Sequence, residues 1–292
     1  MIRRRSKGAL SADGPLAAGP PTSSSGMSPV TPIAETSWEG KLLRQEVFFF
    51  DSGEDQIFGS LFSASKPSGL PGLVICPPWG WEAFQLRDDC YSLARRVAER
   101  GGAGLVLDWV GHGDSSGNPA DATIHRMVEI AGDAFTYARR AFPSVEWSFC
   151  GLRLGACAAA VASRHVTGDV LLLIQPSLDA PAHVGEIERL ARRASLGRWN
   201  SEQPWAFGNP LPDLRDWLPE LDALPALDSF PGRAAVVRFE RPAVEVFSDK
   251  VEDLTVSGEW KTGLTRLSHR VLTPLVEAGV EWLTRTHQPG QR

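Results

Sequence analysis

The chain has 292 residues, 42% of them hydrophobic, and a formal net charge of -5. That length accommodates one large domain with a real core. An acidic balance without a dense Lys/Arg stripe leaves no electrostatic footprint for nucleic acid, and no stretch approaches the roughly 18 apolar residues of a membrane span.

Residues 1–36 begin "MIRRRSK" and continue rich in Gly, Pro, Ser and Ala, without the apolar centre of a secretory signal. They are expected to form a disordered tail, within which Met27 offers a second start position. Residues 37–292 read as one folded domain. Its first two apolar runs, "LRQEVFFFDS" and "QIFGSLFSA", are separated by the turn residues of "SGED" and are expected to pair as an antiparallel edge. "GLVICPP" follows as a buried strand. A helix is expected from Phe84 to Arg100, with Leu86, Cys90, Leu93, Ala94 and Val97 on one face and Gly101 and Gly102 as its stop. The strand "AGLVLDW" comes next, then a helix between Asp121 and Phe142, the strand "VEWSFC", a helix after Arg153 and the strand "DVLLLI".

This alternation predicts a largely parallel sheet covered by helices. It breaks between Gln175 and Arg233, where helix-compatible pieces such as "HVGEIERLARRAS" are interrupted by prolines. The segment of about 176–232 therefore reads as an inserted helical cap over the strand ends, of the kind that shapes substrate access. "AAVVRF" and "VEDLTVS" supply the last strands, with "AVEVF" competing for the first of them, and a final helix starts near Thr273 and Pro274. The four cysteines, Cys76, Cys90, Cys150 and Cys157, show no C-x-x-C spacing. They read as buried thiols in a reducing compartment, with the cytoplasm as the expected location.

Three motifs fall at successive strand ends: "CPPWGW", then "DWVGHGDSSG" from Asp108 to Gly117, then "GLRLGA" from Gly151 to Ala156. A strand, a turn between two glycines and a helix form a nucleophile elbow, whose backbone projects its central side chain above the sheet. With these motifs the chain, from about Leu43 to Leu283, resembles the α/β-hydrolase superfamily and its serine aminopeptidase-like branch. It is most similar to the exosortase A system-associated hydrolases of the second type, which accompany exopolysaccharide and protein-sorting systems. The resemblance implies an α/β-hydrolase fold, a mostly parallel twisted sheet flanked by helices with a cap. It also implies a serine at the elbow, where this chain has Arg153.

A guanidinium has no acceptor, stays protonated and is no acyl nucleophile, so Ser-type acyl-enzyme chemistry is not expected. The acid slot falls to Glu240 or Asp249, depending on which run forms the strand after the cap; the base slot holds Trp260, with His269 nine residues later. His112 belongs to the "GHG" turn, and His125, His165, His183 and His287 read as facing solvent. No pair has metal-ligand spacing, and neither metal nor cofactor is expected. The backbone donors of an oxyanion hole survive in the Leu154 amide and in the loop of Trp79, Gly80 and Trp81.

A cation at a helix N-terminus opposes the macrodipole and calls for an anion. Two sources are open. Glu240, Asp249 or Asp114 forms an internal salt bridge that plugs the pocket, or a ligand carboxylate or phosphate sits on Arg153. Ten tryptophans are present, and Trp79, Trp81, Trp109 and Trp260, with Trp199, Trp205 and Trp217 of the cap, are placed to line an apolar cleft. Trp147 and Trp282 are better explained by core burial. The leading expectation is a protein that binds or transforms an anionic, largely apolar small molecule, such as an acyl, ester or carrier-linked intermediate, with no nucleic-acid or membrane partner. The alternative is a catalytically dead homologue that works as a binding or scaffold protein, and an ordinary esterase or thioesterase is the least favoured reading.

Overall fold

Short apolar runs become fully buried strands, and the helices between them cover both faces of the sheet they form. The computed structural model describes residues 31–38, 41–166, 168–177, 183, 185–186, 189, 192, 205–206, 209–210, 227, 229–239, 250–258 and 272–287. Three antiparallel strands come first: β1 (Thr31–Trp38), β2 (Lys41–Ser52) and β3 (Asp55–Ala64). They are followed by β4 (Gly72–Cys76), β5 (Ala103–Leu107), β6 (Trp147–Leu152) and β7 (Val170–Ile174). A small antiparallel pair, β8 (Trp205–Ala206) and β9 (Asn209–Pro210), precedes β10 (Arg233–Phe239) and β11 (Val251–Val256). The main sheet has the order β1-β2-β3-β5-β4-β6-β7-β10-β11, with β5 through β11 parallel to their neighbours and β3 joined antiparallel to β5.

Successive strand residues point to opposite faces, and this period divides the core in two. Val74, Leu105, Leu107, Phe149, Leu171, Leu173 and Val236 pack with α3 (Ile124–Ala141) and α4 (Gly155–Ala162). Ile75, Val106, Cys150, Leu152, Leu172, Ile174 and Val237 pack with α2 (Arg87–Glu99) and the C-terminal helix α5 (Thr273–Thr286). Each fully buried Leu, Ile or Val contributes about 1.5–3 kcal/mol relative to exposure, so strands buried on both faces hold the sheet without help from edge polarity. Trp147 and Trp282 are core residues, as expected. All four cysteines are buried and none is in a disulfide. Among the described residues no helix is long and apolar enough to cross a membrane.

Three elements differ from the sequence expectation. β1 begins inside the stretch expected to be tail, pairing from Thr31 with Val47 to Trp38 with Lys41. Its signal is weak because Pro32 sits at its start and the register shifts between Pro32 and Ala34, both of which an edge strand tolerates. The helix expected from Phe84 is two, α1 (Trp81–Gln85) and α2, broken at Leu86 with φ -101° and ψ 10°. Leu86 still contributes to the buried face of α2, together with Cys90, Leu93, Ala94 and Val97. The helix expected from Asp121 begins at Ile124, after Thr123 caps it by accepting the Arg126 amide. The competing strand "AVEVF" and most of the expected cap lie outside the described residues; His183, Gly185, Glu186, Arg189 and Arg192 within that segment are helical.

Candidate functional site

The elbow between β6 and α4 is sterically enforced. A Cβ on Gly155 would lie 2.2 Å from the Pro77 carbonyl oxygen and 2.3 Å from that of Cys76, and one on Gly151 would lie 2.4 Å from the Ala156 Cα. Only glycine permits so close an approach. Between them Arg153 adopts φ 53°, a left-handed conformation that costs a non-glycine residue about 1–3 kcal/mol. Its amide donates to the Ile174 carbonyl at 3.2 Å, and its carbonyl accepts from Ala156 and Ser177, both at 3.1 Å, which fixes the turn against the end of β7.

The backbone thus aims the Arg153 side chain over the carboxyl ends of the strands, where it is only 1% exposed. Its Nε donates to both carboxylate oxygens of Glu82, at 3.0 and 3.2 Å, and one terminal nitrogen donates to Glu186 at 3.1 Å. The other terminal nitrogen reaches the Gln175 carbonyl at 3.4 Å. Gln175 is itself held with φ 44°, its amide donating to Val237 and its side-chain oxygen accepting from the Phe239 amide, so it joins β7 to β10 below the guanidinium. Glu82 lies in the first turn of α1, straight after the Trp79–Gly80–Trp81 loop, and is buried. Two carboxylates therefore offset both the burial of the guanidinium and its placement at the positive end of α4.

Of the internal anions proposed from sequence, none described is the one used. Asp114 is exposed and faces Arg87 at 3.9 Å, because the "GHG" turn folds it away from the elbow. Glu240 and Asp249 lie outside the described residues, as do His269 and Trp260. Sequence reasoning missed Glu82 and Glu186. Glu82 had a positional signal, two residues after Gly80 at the same strand-end level; Glu186 had none, because its segment carried only a weak helical pattern.

His183 was expected to face solvent and is instead 4% exposed, with neither ring nitrogen hydrogen-bonded to a described residue. Burial, and then the neighbouring Arg153 charge, push its pKa down to about 3, so the ring is neutral. His112 hydrogen-bonds through Nδ1 to the Val110 carbonyl at 2.9 Å, the local role expected of it, and burial lowers its pKa. Burial raises the pKa of Asp108, whose carboxylate accepts from the Asp114 amide at 3.1 Å.

Of the tryptophans expected to line a cleft, Trp199, Trp217 and Trp260 lie outside the described residues; Trp79, Trp81 and Trp109 pack as follows. Trp109 is wholly buried, its Nε1 donating to the carbonyls of Pro77 and Pro78 at 3.0 and 3.2 Å, which ties the "GHG" turn to the "PPWG" loop. Trp79 is 3% exposed and lies beside the His112 ring. Trp81 stacks on Phe84, its ring centroid 5.3 Å away. Leu154, whose amide would serve an oxyanion hole, is the N-cap residue of α4, and Gly80 occupies the same position on α1. Among the described residues no group of His, Cys, Asp or Glu is arranged to hold a metal ion.

No protein-family model matches the chain, and no curated protein does. Solved structures match its fold. Est1E from Butyrivibrio proteoclasticus, in a structure with bound ferulic acid, is 17% identical, with 82% of this chain and 98% of that one covered and a TM-score of 0.57. An α/β serine hydrolase without lid from Xanthomonas campestris is 14% identical over 85% of this chain and 97% of its own, with a TM-score of 0.55. An α/β serine hydrolase homologue from Coxiella burnetii is 14% identical over 82% and 96%, with a TM-score of 0.52. The chain has the α/β-hydrolase fold.

Proposed function

We propose that this protein is a non-hydrolytic member of its fold, in which the elbow serves as an internal ionic lock and the molecule acts as a binding or scaffold protein. The observation that carries this reading is Arg153, 1% exposed at the apex of the elbow and hydrogen-bonded to both Glu82 and Glu186. A serine hydrolase needs at that point a hydroxyl that a base can activate; a guanidinium supplies neither acceptor nor nucleophile. An anionic ligand at the elbow would have to displace one of the two carboxylates from a dry site, where an unpaired charge is strongly disfavoured. The two carboxylates on Arg153 favour this alternative over the reading of Arg153 as the seat of an acyl or phosphate group. The likeness of "GLRLGA" to exosortase A system-associated hydrolases supports placing the scaffold in a bacterial exopolysaccharide setting.

Serine-directed phosphonate probes and simple aryl esters test the reading. Folded protein is expected to remain unlabelled and to turn over esters no faster than an unrelated protein. Stoichiometric labelling of a serine overturns it.

A further inference from the structure

Among the described residues of the lock, one buried polar side chain has no hydrogen-bond partner. His183 is 4% exposed and both its ring nitrogens are unpartnered, although buried polar groups are hydrogen-bonded in the great majority of cases. It stands one helical turn before Glu186, whose carboxylate grips Arg153 at 3.1 Å. The charged groups that act on the ring are Arg153, from the elbow, and Glu186, from its own helical segment; Glu82 reaches the same guanidinium from α1. A neutral imidazole fits this position. An imidazolium would lie in a dry site beside a guanidinium, and the carboxylate among the described residues that favours it, Glu186, is already engaged by Arg153.

We propose that His183 is a proton-operated latch: taking up a proton, its ring leaves the buried site and carries the adjoining turn with it, breaking the Arg153–Glu186 ion pair. Position supplies the coupling, because His183 and Glu186 are both helical and lie three residues apart.

The sign of the pH dependence follows from proton linkage. In the held state burial and Arg153 depress the His183 pKa to about 3, and Glu186, which acts the other way, ranks behind both. In the released state the ring regains its ordinary value of about 6.5. The held state is therefore fully favoured above about pH 6.5 and loses ground as pH falls from there toward the depressed value. Between about pH 7.5 and pH 5 the equilibrium shifts about 30-fold toward release.

Hydrogen exchange on the full chain, corrected for the intrinsic pH dependence of amide exchange, reads this shift in the peptide spanning residues 183–192. Its protection is expected to fall by about 30-fold between about pH 7.5 and pH 5; unchanged protection overturns the latch. His183→Phe, which keeps an aromatic ring and cannot take up a proton, is expected to hold its protection at the lower pH. If that variant folds and retains the response, another group is responsible and the proposal fails. Should it not fold, exchange at the imidazole C2 of the wild-type protein gives the midpoint of the ring itself: a value well below about 6.5 supports the latch, and one near 6.5 overturns it. Ester hydrolysis plays no part in these readouts, so the latch and the non-hydrolytic reading fail on different results.

Discussion

Arg153 Nε donates to both carboxylate oxygens of Glu82, 3.0 and 3.2 Å away, across a sequence separation of 71 residues. Arg153, at the apex of the turn between β6 and α4, is the centre of an ionic hub. It joins three pieces that arrive from different strand ends: the elbow after β6, α1 after β4 and the Glu186 turn after β7. Replacing Arg153 by Met keeps much of the bulk, removes the charge and strands two carboxylates, one of them Glu82 with a side chain only 10% exposed. Breaking a buried pair from one side costs about 3–5 kcal/mol, so the variant is expected to unfold on the order of ten degrees lower in a calorimetric scan. Adding Glu82→Gln to Arg153→Met is expected to cost less than the sum of the two single changes, because each removes the same interaction. A variant Arg153→Met as stable as the wild type would refute the hub.

Gly155→Ala tests how rigidly the turn between β6 and α4 is enforced. Its new Cβ would meet the carbonyl oxygens of Pro77 and Cys76, backbone atoms that no rotamer change can move. Overpacking of a rigid site costs about 1–3 kcal/mol and more where backbone must shift, so urea unfolding is expected to show a loss at or above that range. A loss under about 0.5 kcal/mol, the usual limit for innocuous surface changes, would mean that β6 and α4 separate easily.

The sheet was legible because its strands are continuous apolar runs, such as "GLVIC" and "VLLLI", whose burial on both faces leaves little ambiguity. The elbow was legible because Gly151 and Gly155 have a steric reason visible in sequence. The partners of Arg153 were not. Their distances from it depend on how loops after three strands converge, and no local pattern separates Glu82 from any other carboxylate at a helix start. The expectation for Trp109 failed for a similar reason: loop position suggested a cleft, whereas its indole N–H was needed to satisfy the carbonyls of Pro77 and Pro78. His183 failed because a helical pattern with charged neighbours does not reveal which face meets the core.

The cysteines give a prediction from burial. Desolvation raises the thiol pKa of Cys76, Cys90 and Cys150, and Cys157 donates to the Ser177 carbonyl. With the thiolate as the reactive species, none should be alkylated in the folded protein at neutral pH, and all four should react once it is denatured. Labelling of one cysteine under native conditions would show that the core opens around it.

The last prediction concerns the first strand. β1 pairs with β2 from Thr31 opposite Val47 to Trp38 opposite Lys41, interrupted by the register shift between Pro32 and Ala34. Each cross-strand pair contributes about 0.2–1 kcal/mol, so the seven pairs of β1 favour the strand by about 1–7 kcal/mol before its ordering cost is counted. Two truncations isolate it. A chain that begins at Thr31 keeps the pairing, and one that begins after Trp38 loses it and leaves β2 as the edge, with Phe49 on its surface already 39% exposed. The shorter chain is expected to melt several degrees below the longer one and to aggregate more readily, since an uncovered apolar edge strand is a template for pairing with another copy. Equal melting temperatures for the two truncations would mean that β1 contributes no net stability, and the fold would then begin in energetic terms at β2.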